Sequence, residues 1–295
     1  MWKLYYNSLP FSGNLTTIKR LSFLLKLPII NKIEDYIIGI HLFKFGSKVI
    51  NQNLNFGIII GGTDIYCNFP IDIIKQVLIE SRFIICFNNK MRLSLFRFGD
   101  FSNKIYIIPQ SVHPKINIYL TKKNIFNDIY LRKKYNKVFL FLGNLRPVKD
   151  PFYLKQVFDH LYQTKGYLLV FIGDIGEYNI DLFDKGYYYY GTLPYKLAIS
   201  QLQFCNGLIN TSFNEGMSNA ILESLKIGCP VYACNNPGNS SIKNVIIYEN
   251  PLDLIKLLEK PTKELINKGK IESVLTYHAF TEKFHYKNIL KKYFI

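Results

Sequence analysis

Two acids pose the first chemical question. Glu215 stands in the turn-forming stretch "TSFNEGMSN", and Glu223 stands in the apolar run "AILESLK" that follows it. Gly216 permits a backbone path that a side chain would block. Ser218 or Asn219 is suited to cap the helix, and Gly228 and Pro230 stop it. The start of such a helix carries free N–H groups and a partial positive charge, a seat for an anion. A carboxylate has a different use there, because it accepts hydrogen bonds from two vicinal hydroxyls. Glu223 would then hold a ribose diol, and Glu215 would face a sugar ring. A plainer reading stays open, in which one acid favours the helix dipole and the other is an exposed helix glutamate.

A second loop offers the opposite charge. In "KVFLFLGNLRPVKDPFYL" a strand ends at Gly143, and Arg146 and Lys149 follow. A guanidinium fork and an ammonium point charge together clamp a diphosphate. Asp150 is expected as N-cap and Pro151 as first residue of the next helix. The alternative is two solvated surface cations. Read together, the two loops describe a nucleotide diphosphate sugar: ribose, two phosphates and hexose. As the glycosidic bond breaks, charge grows on the departing diphosphate. Arg146, Lys149 and the helix start would stabilise it electrostatically.

These loops need elements to hold them. Apolar, β-rich runs recur along the chain, at Leu4–Tyr6, Tyr36–His41, Gly57–Ile60, Phe83–Phe87, Ile105–Ile108, Val138–Gly143, Leu168–Gly173, Tyr187–Tyr190, Gly207–Asn210, Val231–Ala233 and Val245–Tyr248. Helical patterns fill the gaps, among them Leu15–Leu25, Ile71–Glu80, Pro151–Leu161, Pro194–Phe204, Ala220–Lys226 and the basic run after Ala279. Such alternation predicts an α/β protein whose parallel sheets carry helices on both faces. The charged stretch 127–137 is expected to link two domains, 1–134 and 135–295. Ligands of these sheets bind at the carboxyl ends of strands, and a cleft between two domains is the expected site.

Composition narrows the partners. The chain has 295 residues, 48% of them hydrophobic, which suits packed cores rather than disorder. Lys+Arg 37 against Asp+Glu 21 leaves +16, which favours an acidic partner or is a solvated basic face. Cys67, Cys86, Cys205, Cys229 and Cys234 are odd in number and lack paired or zinc-type spacing, so neither a disulfide framework nor a metal site is expected. No apolar run is long enough for a membrane span, and no signal-peptide pattern opens the chain. A soluble, cytoplasmic protein is expected, with peripheral contact to an acidic membrane as one use of the charge. No zinc-finger, helix-turn-helix or aromatic RNA-binding pattern supports a specific nucleic-acid partner.

The residues also carry a resemblance. "NEGMSNAILES" resembles the E-x7-E motif of family 4 retaining glycosyltransferases, and "RPVKD" resembles their R-x-x-K segment, in the same order. "FGIIIGGTDIY", "KIYIIPQSV" and "PVYACNNPGNSS" extend the likeness. The resemblance implies a GT-B fold of two Rossmann-like domains facing across a cleft, the last helix returning to the first domain. It implies transfer of a hexose from a nucleotide sugar with retention, needing neither metal nor cofactor. Arg146 and Lys149 would bind the donor phosphates, Glu223 the ribose and Glu215 the transferred sugar. The backbone of Gly216, Met217, Ser218 and Asn219 would meet sugar and phosphate. Gly13 would sit in the loop that approaches donor and acceptor. His41 resembles a histidine near the acceptor, though a core histidine is the simple alternative. In "GGTD", Thr63 and Asp64 keep the family's turn, while Gly61 replaces its usual histidine. Gly143, Gly173, Asp174 and the loop with Leu193 would edge the nucleotide. The acceptor is expected to be lipid-linked or anionic. A nucleotide-sugar epimerase and a non-catalytic nucleotide-sugar-binding protein of the same fold are the rival readings.

Overall fold

The computed structural model describes residues 1–7, 13–66, 69–128, 135–150, 152–176, 178, 185–260 and 278–294. The chain divides into two compact units. The first takes Met1–His113, the short stretch Asn214–Asn219 and the C-terminal helix; the second takes Pro114–Phe213 and the chain from Ala220. The expected linker, 127–137, lies in large part outside the described residues.

In the first unit the strands are β1 (Lys3–Tyr5), β2 (Ile29–Ile30), β3 (Ile37–Ile40), β4 (Phe56–Ile59), β5 (Phe83–Cys86) and β6 (Ile105–Ile107). Its described helices are α1 (Gly13–Leu25), α2 (Gly46–Val49), α3 (Gly62–Tyr66), α4 (Ile71–Glu80), α5 (Asn89–Leu95) and, at the chain's end, a helix over Ala279–Lys292. The sheet order is β2-β1-β3-β4-β5-β6, and every pairing is parallel. The central strands read "IIGI", "FGII" and "FIIC", with almost every residue buried. Continuous apolar runs of this kind are what a sheet covered on both faces requires. Two-residue β2 has no period to recognise and escapes the sequence reading.

The second unit repeats the plan with β7 (Lys137–Leu142), β8 (Tyr167–Ile172), β9 (Tyr187–Gly191), β10 (Gly207–Asn210), β11 (Val231–Cys234) and β12 (Ile246–Tyr248). Its described helices are α6 (Ile116–Tyr119), α7 (Ile125–Asp128), α8 (Lys155–Lys165), α9 (Tyr195–Ser200), α10 (Asn219–Ile227) and α11 (Pro251–Glu259), so the C-terminal helix is α12. The order β12-β11-β10-β7-β8-β9 is parallel throughout. One aromatic-rich core under α8 and α11 joins Phe139, Phe158, Phe171, Tyr187, Tyr232 and Tyr248.

The eleven expected strands form, each within a residue or two of its expected ends. The helix expected over Pro151–Leu161 forms further along, at Lys155–Lys165. Pro147 instead opens a 3-10 turn, Pro147–Lys149, and Asp150 closes it in the left-handed region at φ +37°. The helix begins only at Lys155, behind Leu154, without a side-chain cap. Asp150 still accepts hydrogen bonds from the Tyr153 and Phe152 amides, ahead of the helix rather than at its head, and Pro151 lies outside the described residues. Cys205 Sγ lies 3.5 Å from Cys229 Sγ, both as free thiols.

Candidate active site

Each sheet has one place where strand order reverses, and loops leaving the two strands there diverge to opposite faces. In the second unit that place lies between β7 and β10. The loop after β7 carries Arg146 and Lys149, and the loop after β10 opens the E-x7-E stretch. The two loops are bonded to each other. Thr211 Oγ1 donates to the Lys149 carbonyl, and the Phe213 amide donates to the Val148 carbonyl at 3.0 Å. The R-x-x-K backbone is thus seated beside the β10 loop, with Arg146 exposed and Lys149 half-buried.

The neighbouring strand ends pack glycine against backbone. Gly143, Gly173 and Gly191 end β7, β8 and β9 at φ +142°, +150° and +93°. A Cβ on Gly173 would lie 2.2 Å from the Gly143 carbonyl oxygen. The Leu145 amide donates to the Asp174 carbonyl (2.7 Å), and the Asp174 amide donates to Asn144 Oδ1 (3.3 Å). Asp174 itself is exposed and Leu193 half-buried in the loop after β9. That loop leads into α9, whose Tyr195 donates its phenol to Glu223 Oε1. Glu223, 6% exposed, stands on the second turn of α10. The structure so joins the loop predicted to edge the base to the acid predicted to hold the ribose.

In the first unit the order reverses between β1 and β3. The chain after β1 leads to Gly13 at the head of α1, and His41 directly follows β3. His41 is buried and held at φ +93°, its amide donating to the Ile59 carbonyl. Its Nδ1 lies 3.1 Å from Asp64 Oδ1. Asp64 Oδ2 accepts from the amides of Gly61 (2.7 Å) and Leu42 (2.9 Å), while Oδ1 faces His41 Nδ1. Burial pushes the Asp64 carboxyl up to about 7, against the pull of those two amides. A proton on Oδ1 can be donated to Nδ1; a proton on Nδ1 can be donated to the carboxylate. The Lys44 amide also points at Nδ1, at 3.2 Å, which favours the first arrangement.

The stretch Asn214–Asn219 packs into this same unit. A Cβ on Gly62 would lie 2.2 Å from the Gly216 nitrogen, so the head of α3, with Thr63 and Asp64, meets this turn backbone to backbone. Three side chains grip the turn. Asn88 Nδ2 donates to the Gly216 carbonyl (2.9 Å), Gln110 Nε2 donates to the Met217 carbonyl (2.7 Å), and Arg20 Nη1 donates to Asn219 Oδ1 (3.0 Å). Asn219 Nδ2 in turn donates to the Gly13 carbonyl (3.0 Å) and Thr17 Oγ1 (3.1 Å). In a trans peptide the N–H points opposite the C=O. With the carbonyls of 216 and 217 turned toward Asn88 and Gln110, the amides of Met217 and Ser218 are aimed the other way. Two amides so turned at the head of a helix suit an oxyanion or a sugar hydroxyl.

Residues 122–245 match the family model of glycosyl transferases group 1. That segment is similar to the group 1 glycosyl transferases. The chain is 28% identical over 255 residues to glycosyltransferase 1 domain-containing protein 1 of Xenopus tropicalis, spanning 79% of this chain and 73% of that protein. Its fold is similar to that of Anabaena HepE, solved in complex with UDP-glucose, with a TM-score of 0.77, 13% identity and 98% of each chain covered. It is also similar to α,α-trehalose 6-phosphate synthase of Burkholderia multivorans, at a TM-score of 0.64, 11% identity, and coverage of 93% of this chain and 74% of that one. The fold is that of the GT-B transferases, and the likeness of residues 122–245 to the group 1 family model supports glycosyl transfer as the class of reaction.

The matched residues include the R-x-x-K loop and E-x7-E. The residues that sequence reading missed are Arg20, Asn88, Gln110, Tyr195 and Glu282. Arg20 left one signal: it shares a helical face with Thr17, Leu21 and Leu24, an apolar stripe where a charge is out of place.

Proposed function

We propose that the protein is a retaining glycosyltransferase that moves a hexose from a nucleotide diphosphate sugar to an acceptor without a metal ion. The observation that supports this most is the pair of hydrogen bonds from Thr211 and Phe213 to the Lys149 and Val148 carbonyls, which sets the R-x-x-K loop beside the loop that begins E-x7-E. In this reading Arg146 and Lys149 hold the diphosphate and neutralise it as it leaves. Glu223, oriented by Tyr195, takes the ribose diol. Glu215 and the amides of Met217 and Ser218 take the transferred sugar, and His41 with Asp64 serves the acceptor side. Retention follows from the likeness to family 4, where the leaving diphosphate, not an enzymic carboxylate, is the centre of charge. That HepE was solved in complex with UDP-glucose makes a uridine nucleotide the first donor to try. The acceptor is lipid-linked or otherwise anionic, which suits a net charge of +16.

The test begins with thermal shifts against nucleotide diphosphates and nucleotide sugars. A ligand at a hundred times its dissociation constant adds about 2.7 kcal/mol. Turnover of the best donor is then measured in Arg146→Ala and Lys149→Ala. Each is expected to lose on the order of a hundredfold in kcat, as for one lost transition-state donor. Unchanged turnover in both variants would remove the diphosphate clamp.

A further inference from the structure

Arg20 is one of the largest fully buried side chains in the molecule, at 1% exposure. It forms a bidentate pair with Glu282 of α12, Nε to Oε2 at 3.1 Å and Nη2 to Oε1 at 3.0 Å. Its Nη2 also reaches Gln110 Oε1 (2.8 Å) and its Nη1 reaches Asn219 Oδ1 (3.0 Å). Glu282 is equally buried, and its Oε2 accepts from the Ser111 hydroxyl (2.5 Å) and amide (3.2 Å). A buried ion pair is a poor source of stability, since desolvation offsets its attraction. Packing alone gives no reason to place one here. What the pair does have is an output. The guanidinium ends on Asn219 and, through Gln110, on the Met217 carbonyl, two of the grips on the stretch that carries Glu215.

We propose that Arg20, fixed by Glu282, is a positioning residue that sets the aim of the Met217 and Ser218 amides, so that α12 governs donor binding without touching the donor. The proposal rests on the transferase reading for its ligand, but not for its geometry. Glu282 holds the fork in one orientation; the fork holds Asn219 and Gln110; these hold the turn. Lysine cannot reproduce this, because one ammonium does not present a planar, forked set of donors.

The experiment uses the double variant Arg20→Met/Glu282→Leu in the full chain. Replacing both partners of a buried pair by apolar residues is often neutral for stability, so the variant is expected to fold, which its melting temperature reports. Two readouts follow. Hydrogen exchange without any ligand is expected to quicken about tenfold or more at 216–219, with the β4 and β5 amides unchanged. The donor KM, measured well below the melting temperature, is expected to rise about tenfold, the loss of one charge-assisted hydrogen bond, with a smaller change in kcat. Arg20→Lys is expected to resemble the double variant in KM. If exchange at 216–219 stays at the wild-type rate, the proposal fails whatever the ligand. If exchange quickens but no nucleotide sugar shifts the melting temperature of the wild type, the transferase reading fails and the positioning role stands. If the double variant does not fold, Glu282→Gln is read instead. It keeps one carbonyl acceptor for the fork and is expected to show the same two changes in weaker form. Wild-type exchange in that variant would overturn the proposal.

Discussion

At the scale of single residues, the sequence shows which side chains carry chemistry better than it shows what holds them. Glu215, Arg146 and Lys149 are legible because each lies a few residues past an apolar strand, where turn-forming residues leave little else for a charge to do. Glu223 is legible from its spacing to Glu215, in the helix that follows. Their supports are invisible because they are distant in the chain. Arg20 meets Glu282 only after the fold closes a loop of most of the protein, and Tyr195 reaches Glu223 from a separate helix. His41 and Asp64 fall between these cases: the motif names both, but their contact depends on β3 ending beside the head of α3. Asp64 makes a test. Burial raises its carboxyl to about 7, against about 3.9 in an unfolded chain. The folded state therefore binds the extra proton, and stability is full below about pH 4 and is lost as pH rises through 7. The slope amounts to at most about 4 kcal/mol. Thermal melts from pH 5 to pH 8 are expected to fall more steeply for wild type than for Asp64→Asn. Parallel slopes would show that the carboxyl is ionised throughout.

At the scale of elements, alternating apolar strands and helices made the two parallel sheets readable, because strands covered on both faces leave unbroken hydrophobic runs. What failed was the loop after β7. "RPVKDP" offers an aspartate and a following proline, the usual opening of a helix, yet its first proline takes the chain into a 3-10 turn. The hydrogen bonds from Thr211 and Phe213 that hold this turn come from another strand's loop, and local sequence holds no trace of them. The glycines that end β7 and β8 separate two costs. Gly143 has φ +142° with open space where a Cβ would go; Gly173 has φ +150° with the Gly143 carbonyl 2.2 Å away. Gly143→Ala is expected to cost about 1–2 kcal/mol, from backbone strain alone. Gly173→Ala is expected to cost about 2–4 kcal/mol, because strain and overlap add. Urea unfolding of the two variants measures the difference, and equal midpoints would mean that the loop yields without resistance.

At the scale of the whole molecule, the surplus of +16 still asks for a partner. Among the described residues no helix is long and apolar enough to cross a membrane. The C-terminal helix, however, leaves Phe280 and Phe284 70% and 53% exposed, beside exposed Lys287 and Lys291. Aromatic rings and lysines on one helix suit an anionic interface. Cosedimentation with vesicles rich in phosphatidylserine is expected to exceed that with neutral vesicles about tenfold at low salt and to fade as salt is raised. Equal pelleting with both would assign the charge to solvation. One close approach has wider reach. Position 62 has no room for even a methyl group, since the peptide nitrogen of residue 216 fills the place. Two segments far apart in the chain are therefore bound to drift together: a descendant that gained a side chain at the first would have to reshape the second, and with it whatever sugar the turn admits.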